Sequence, residues 1–204
     1  MKQYPTIGRE IYYGRPVYVF DKLDGSNIRA EWTPKKKFHK FGSKKRLIGT
    51  DQDFLPEAIE LIKSNFEKQM SDIFRKERYV KAIGFFEFWG PNSFAGQHTD
   101  EEHFLSLIDV NPHKKGILLP RNFLRLYGDL NIAKFLYRGN VNKILEDNVK
   151  RGKLQGMTFE GVVCKGAPLK NGYPPLMFKI KNEAWIRQLK VFCQGDENLF
   201  NQLL

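Results

Sequence analysis

Apolar and polar positions alternate over short stretches through much of the chain, and Gly, Pro, Asp and Asn bound those stretches, the pattern of β-strands joined by turns. "RPVYVF" (15–20) and "IRAEW" (28–32) are rich in β-branched and aromatic side chains and flank "DGSN", which predicts strand, tight connection, strand. "YVKAIGFFEFWG" (79–90) and "HFLSLIDVN" (103–111) predict two more strands, paired through "PNSFAGQHTDEE". "MTFEGVVCKG" (157–166) and "PPLMFKIKN" (174–182) predict another two. Between these the period changes. Leu55, Ala58, Ile59, Ile62, Phe66, Met70 and Ile73 recur at helical spacing, predicting one amphipathic helix over 53–75 with Asp53 as N-cap and Pro56 in its first turn. Weaker helical patterns occupy 120–150, the second stopped by Gly152, and "EAWIRQLKVFC" (183–193) predicts a helix near the C-terminus. No repeat or linker interrupts this order. The expected architecture is a single α+β domain over 1–204, of mostly antiparallel sheet flanked by helices.

Composition narrows the partners. The 204 residues are 41% hydrophobic, enough for a core, and 34 Lys and Arg against 23 Asp and Glu give a net charge of +11 that attracts polyanions. The basic stretch "TPKKKFHKFGSKKRLIGT" (33–50) reads as a loop or edge hairpin, either a solvated face or a grip on phosphates. No apolar run of about 18 residues exists to span a bilayer, and "MKQYPTIGRE" lacks a signal peptide's apolar segment. The expectation is an intracellular, cytoplasmic protein with no membrane partner. Cys164 and Cys193 have no CxxC spacing and are expected to be reduced and partly buried, and the four histidines are too scattered for a transition-metal site.

Candidate chemistry starts at Lys22, which stands between a strand and a turn in "FDKLDGSN". Alone, such a lysine is either a salt-bridged surface residue or a nucleophile. Other charged residues interrupt apolar strands: Glu87 in "FFEFWG", Glu160 in "FEGVVCKG", and Lys179 with Lys181 in "MFKIKN". Residues two apart on a strand share a face, so Lys179 and Lys181 would face an anion while Phe178 and Ile180 face a core. Two adjacent cations suit a polyphosphate. A carboxylate on an apolar strand needs a cation or donor, because burial without one is unfavourable.

Taken in order, "KLDG", "FFEFWG", "FEGVV" and "KIK" resemble the motifs of the covalent nucleotidyltransferases, which comprise ATP-dependent DNA ligases, RNA ligases and GTP-dependent mRNA capping enzymes. The resemblance runs from residue 22 to 181, and "KLDGSN" followed by "SKKRLIG" is most similar to the nick-sealing RNA ligases. DNA ligases and capping enzymes more often carry Arg where Asn27 stands. The resemblance implies a nucleotidyltransferase (ATP-grasp-like) fold and an ATP-dependent RNA ligase. Lys22 would take AMP from ATP as a lysyl-AMP, pass it to a 5′-phosphate, and a 3′-hydroxyl would displace it. Lys179 and Lys181 would lower the Lys22 pKa and offset phosphate charge. Glu160 would hold Mg²⁺, or Mn²⁺ in its place, with Glu87 assisting or binding the ribose. Asp24, Gly25 and Arg46 would surround the ribose and phosphate, Asp21 would accept from the adenine amino group, and Ile108 would cover the base where relatives carry an aromatic ring. The implied partner is RNA or an RNA-containing duplex with a nick, bound by a monomer. The sequence ends at residue 204, too soon after Lys181 for the OB or helical C-terminal domain of relatives, so the expectation is a minimal ligase or a catalytic domain alone. A DNA ligase, a capping guanylyltransferase and a noncatalytic nucleic-acid-binding module are the alternatives.

Overall fold

Strands adjacent in sequence need not pair, and the first two do not. In the structure, a computed structural model that describes residues 1–44 and 55–204, β1 (Pro16–Asp21) and β2 (Ser26–Thr33) belong to different four-stranded sheets. The chain divides accordingly into two compact units. One comprises Met1–Thr6, Gly25–Ser93 and Gln97–Ile132; the other comprises Ile7–Asp24, Phe94–Gly96 and Ala133–Leu204.

The first unit holds the sheet β3-β2-β4-β5, with β3 at Lys37–Ser43, β4 at Ala82–Trp89 and β5 at Phe104–Pro112. All its pairings are antiparallel, β3 forms the edge hairpin expected of the basic stretch, and β4 pairs β5 as predicted. One sheet face is covered by α1 (Leu55–Asn65) and α2 (Glu67–Lys76); Phe66 between them and Met70 and Phe74 of α2 are fully buried. The core is aromatic. Trp32 meets Phe74 with ring centroids 5.0 Å apart, Phe66 meets Phe86 at 5.1 Å, and the buried Trp32 N–H donates to Ser71 Oγ at 2.8 Å. The single helix predicted over 53–75 is two helices. Phe66 departs from helical geometry at φ −121°, two residues after Ser64, whose hydroxyl donates back to Glu60 O and so favours a bend. The predicted N-cap, Asp53, lies outside the described residues. α3 (Pro120–Tyr127) completes the unit.

The second unit holds the sheet β6-β1-β7-β8, also antiparallel throughout, with β6 at Phe135–Asn140, β7 at Gly161–Gly166 and β8 at Leu176–Lys181. Its core is mainly aliphatic: Val17, Val19, Val162, Cys164, Phe178 and Ile180 from the sheet pack on Leu145 and Val149 of α4 (Lys143–Lys150). Residues 120–150, expected to be helical, contain strand β6 between their two helices. β6 is a sheet edge with Phe135 and Arg138 exposed, so its burial pattern is weak and its sequence signal with it. α5 (Glu183–Phe192) and an unpredicted α6 (Glu197–Leu203) end the chain, with Asn182 and Asp196 as N-caps that accept from Ala184 N and Leu199 N. Both cysteines are free and buried.

Candidate active site

The ends of three neighbouring strands put the predicted residues of the second unit together. Lys22 follows β1, Glu160 precedes β7, and Lys181 is the last residue of β8. The backbone locks these ends: Lys22 N donates to Gly161 O, and Asn182 N donates to Glu160 O, both at 3.0 Å. Gly161 is required there. It has φ +139°, and a Cβ would meet Ile180 O at 2.2 Å. Glu160, expected within a strand, therefore sits one residue before it, where its side chain leaves the ladder.

Its carboxylate is shared by two lysines. Lys22 Nζ donates to Glu160 Oε2 at 2.8 Å, and Lys181 Nζ donates to Oε1. Lys181 and Glu160 are almost fully buried and Lys22 is one-fifth exposed, so the nucleophile candidate is the reachable member. Lys181 carries a second contact: its Nζ lies 3.5 Å from the centroid of the Trp185 ring. Burial pushes the Lys181 amine down to about 7, with the Lys22 and Lys179 charges acting in the same direction and Glu160 opposing them. Lys179 shares the Lys181 face of β8, while Phe178 and Ile180 are buried in the core on the other face, as the alternation requires.

Asp24 joins this cluster through Trp185, whose indole N–H donates to Asp24 Oδ2 at 2.6 Å. Burial and the nearby Glu160 raise the Asp24 pKa, against the Trp185 and Ala95 hydrogen bonds that lower it. Asp21 is buried and turned to structural use: Thr158 donates to its Oδ1 from N at 2.9 Å and from Oγ1 at 3.2 Å. Burial raises its pKa too.

The remaining predicted residues belong to the first unit. Glu87 lies on β4, opposite Asn27 and Ser106. Ile108 is the extra residue of a β-bulge, since Phe85 pairs with Asp109 and Phe86 with Leu107. Asp109 is buried and accepts from Tyr4 OH at 2.5 Å, and burial together with Asp109 and Glu87 raises the Tyr4 pKa. Gly25 is needed for packing, because a Cβ there would meet Phe88 O at 2.1 Å. Arg46 lies outside the described residues. Sequence reasoning missed Trp185, Thr158 and Tyr4; a tryptophan four residues after the second lysine of "KIK" is the one signal available for the first.

Among the described residues no three His, Cys, Asp or Glu side chains gather into a metal-binding group. A hard cation that keeps waters and phosphate oxygens needs only one or two carboxylates; Glu160 could supply one by exchanging an oxygen now given to Lys22 or Lys181.

Two antiparallel four-stranded sheets with flanking helices form an α+β fold that is shared with solved RNA ligase nucleotidyltransferase domains. Solved structures that share it include those of the RNA ligase of Naegleria gruberi. A mutant with ATP and Mn matches with TM-score 0.60 and 15% identity over 86% of this chain and 52% of that one. The enzyme with PPi gives TM-score 0.60 and 15% identity over 88% and 53%, and an apo mutant gives 0.60 and 14% over 93% and 60%. This chain thus spans little more than half the length of those structures. No protein-family model matches it, and no curated protein matches it in sequence. No described helix is long and apolar enough to cross a membrane.

Proposed function

We propose that the protein is an ATP-dependent RNA ligase that joins a 3′-hydroxyl to a 5′-phosphate through a covalent AMP on Lys22. The observation that carries this reading is the pair Lys22 and Lys181 held on the two oxygens of Glu160, beside Asp24. In that arrangement one amine is accessible and the other is fixed where a phosphate would need positive charge.

Lys22 Nζ, once deprotonated to water, would attack the α-phosphorus; the N–P bond forms, the bond to the bridging oxygen breaks, and pyrophosphate leaves with its electron pair. Glu160 holds the ammonium in place beforehand. Lys179 and Lys181 offset the charge that builds on the phosphate oxygens. A divalent cation, Mg²⁺ or Mn²⁺, held by Glu160 would add positive charge at the α-phosphate. Glu87 and Ile108 would serve the ribose and base, Arg46 the phosphate, and the RNA strand would be drawn in by the net charge of +11. The reading is supported by Naegleria RNA ligase structures of the same fold with ATP and Mn, with AMP and Mn, and with PPi.

Incubation with α-labelled ATP and a divalent cation should leave label on the protein, and Lys22→Ala should remove it. A wild-type protein that takes no label, or a variant that keeps it, would overturn the reading. Nicked duplexes with RNA or DNA at the 3′-hydroxyl strand then separate an RNA ligase from a DNA ligase, and preference for GTP would indicate a capping enzyme.

A further inference from the structure

We propose that Trp185 is a positioning residue whose indole fixes Asp24, in the turn after Lys22, and Lys181, at the end of β8, on one rigid ring. The proposal rests on the reading of Lys22 as nucleophile, and extends it to a residue outside every motif that suggested that reading. Two different properties of the ring are used. Its edge N–H donates to Asp24 Oδ2 at 2.6 Å, and its face receives Lys181 Nζ at 3.5 Å from the centroid. A phenyl ring could supply the face and not the donor, whereas an aliphatic side chain supplies neither.

Trp185 is itself held. It is 1% exposed and packs with Ala95, Leu189 and Cys193, with Phe94 at a centroid distance of 5.6 Å. Asp24 receives a further hydrogen bond from the Ala95 backbone. Ala95 adopts φ +51°, an unfavourable region for a residue with a Cβ. The chain accepts this strain where its amide meets Asp24. The Asp24 carboxylate is therefore clamped from two sides, by a side chain of α5 and by the 94–96 segment. An aspartate clamped in this way fixes the two-residue link from Lys22, and the same ring stops the Lys181 amine from leaving Glu160.

Trp185→Phe, Asp24→Asn and the double variant test this by rate of covalent labelling at saturating ATP, with thermal midpoints measured alongside. Losing one hydrogen bond to a charged acceptor should slow Trp185→Phe at least about tenfold. The maximal rate should fall more than the apparent affinity for ATP, and the double variant should be no slower than the slower single variant. Labelling by Trp185→Phe within about twofold of wild type, or losses that multiply in the double variant, would overturn the proposal. A second readout needs neither nucleotide nor activity: the ¹⁵N indole resonance of Trp185 should move in both Asp24→Asn and Lys181→Met. If wild-type protein takes no label, the functional reading falls while the clamp is still judged by that resonance. An indole signal unmoved by either substitution refutes the clamp.

Discussion

The two units use the same four-stranded antiparallel sheet for different ends. In the first, the face under the helices is filled by Trp32, Phe66, Phe74, Phe86 and Phe88, large rings that interlock. In the second, small aliphatic residues line the core face, and the strand ends carry Lys22, Glu160 and Lys181. The difference teaches where charge can be accommodated. Three strand ends tied by backbone hydrogen bonds supply fixed positions for an amine, a carboxylate and a second amine, and the aliphatic core beneath makes no polar demand of its own.

Substitutions should separate the units. Glu160→Ala leaves two lysines without their shared partner and should reduce covalent labelling by about a hundredfold or more, read as initial rate with labelled ATP. Trp32→Ala should act on the first unit by contrast, lowering unfolding free energy by roughly 3–5 kcal/mol in denaturant titration. Acid should strike the second unit through Glu146. Lys143, then Lys150 and Tyr13, hold its carboxylate down to about 2, below its ordinary 4.5. Between those values the unfolded chain binds the extra proton, so the contribution is whole above pH 4.5 and is lost as pH falls toward 2. Glu146→Gln should flatten that part of a stability-against-pH curve; an unchanged slope would remove Glu146 from the account. The smallest effect is expected at the join of β8 and α5, where Asn182→Ala deletes an N-cap and should lower stability by about 1 kcal/mol in the same titration.

Much of this was legible in the chain. Period-two apolar patterns located six strands, and the alternation in "MFKIK" assigned Phe178 and Ile180 to the core and the lysines to the other face. Pairing was less legible. β1 and β2 flank a turn that reads like a hairpin, yet Gly25 packs on Phe88 of β4 and sends the chain into a separate sheet. Edge strand β6 and helix α6 escaped notice because neither buries enough to impose a strong pattern, although Asp196 with Leu199 and Phe200 was a usable cap signal. Within the site, charged residues at motif spacing could be found. The neighbours that orient them, Trp185 on Asp24 and Thr158 on Asp21, are brought in by tertiary packing across sequence separations that no local pattern records.

Strand β3 is the outermost strand of its sheet among the described residues, and it exposes Lys37, His39 and Lys40. An outer strand offers unsatisfied amides and carbonyls to any other strand it meets, and lysines along it keep such encounters short. The lysines that favour a polyanion thus also govern how concentrated the protein can become before chains stack edge to edge. Salt weakens both effects together, so conditions that loosen a phosphate backbone also bring the chains closer to precipitation.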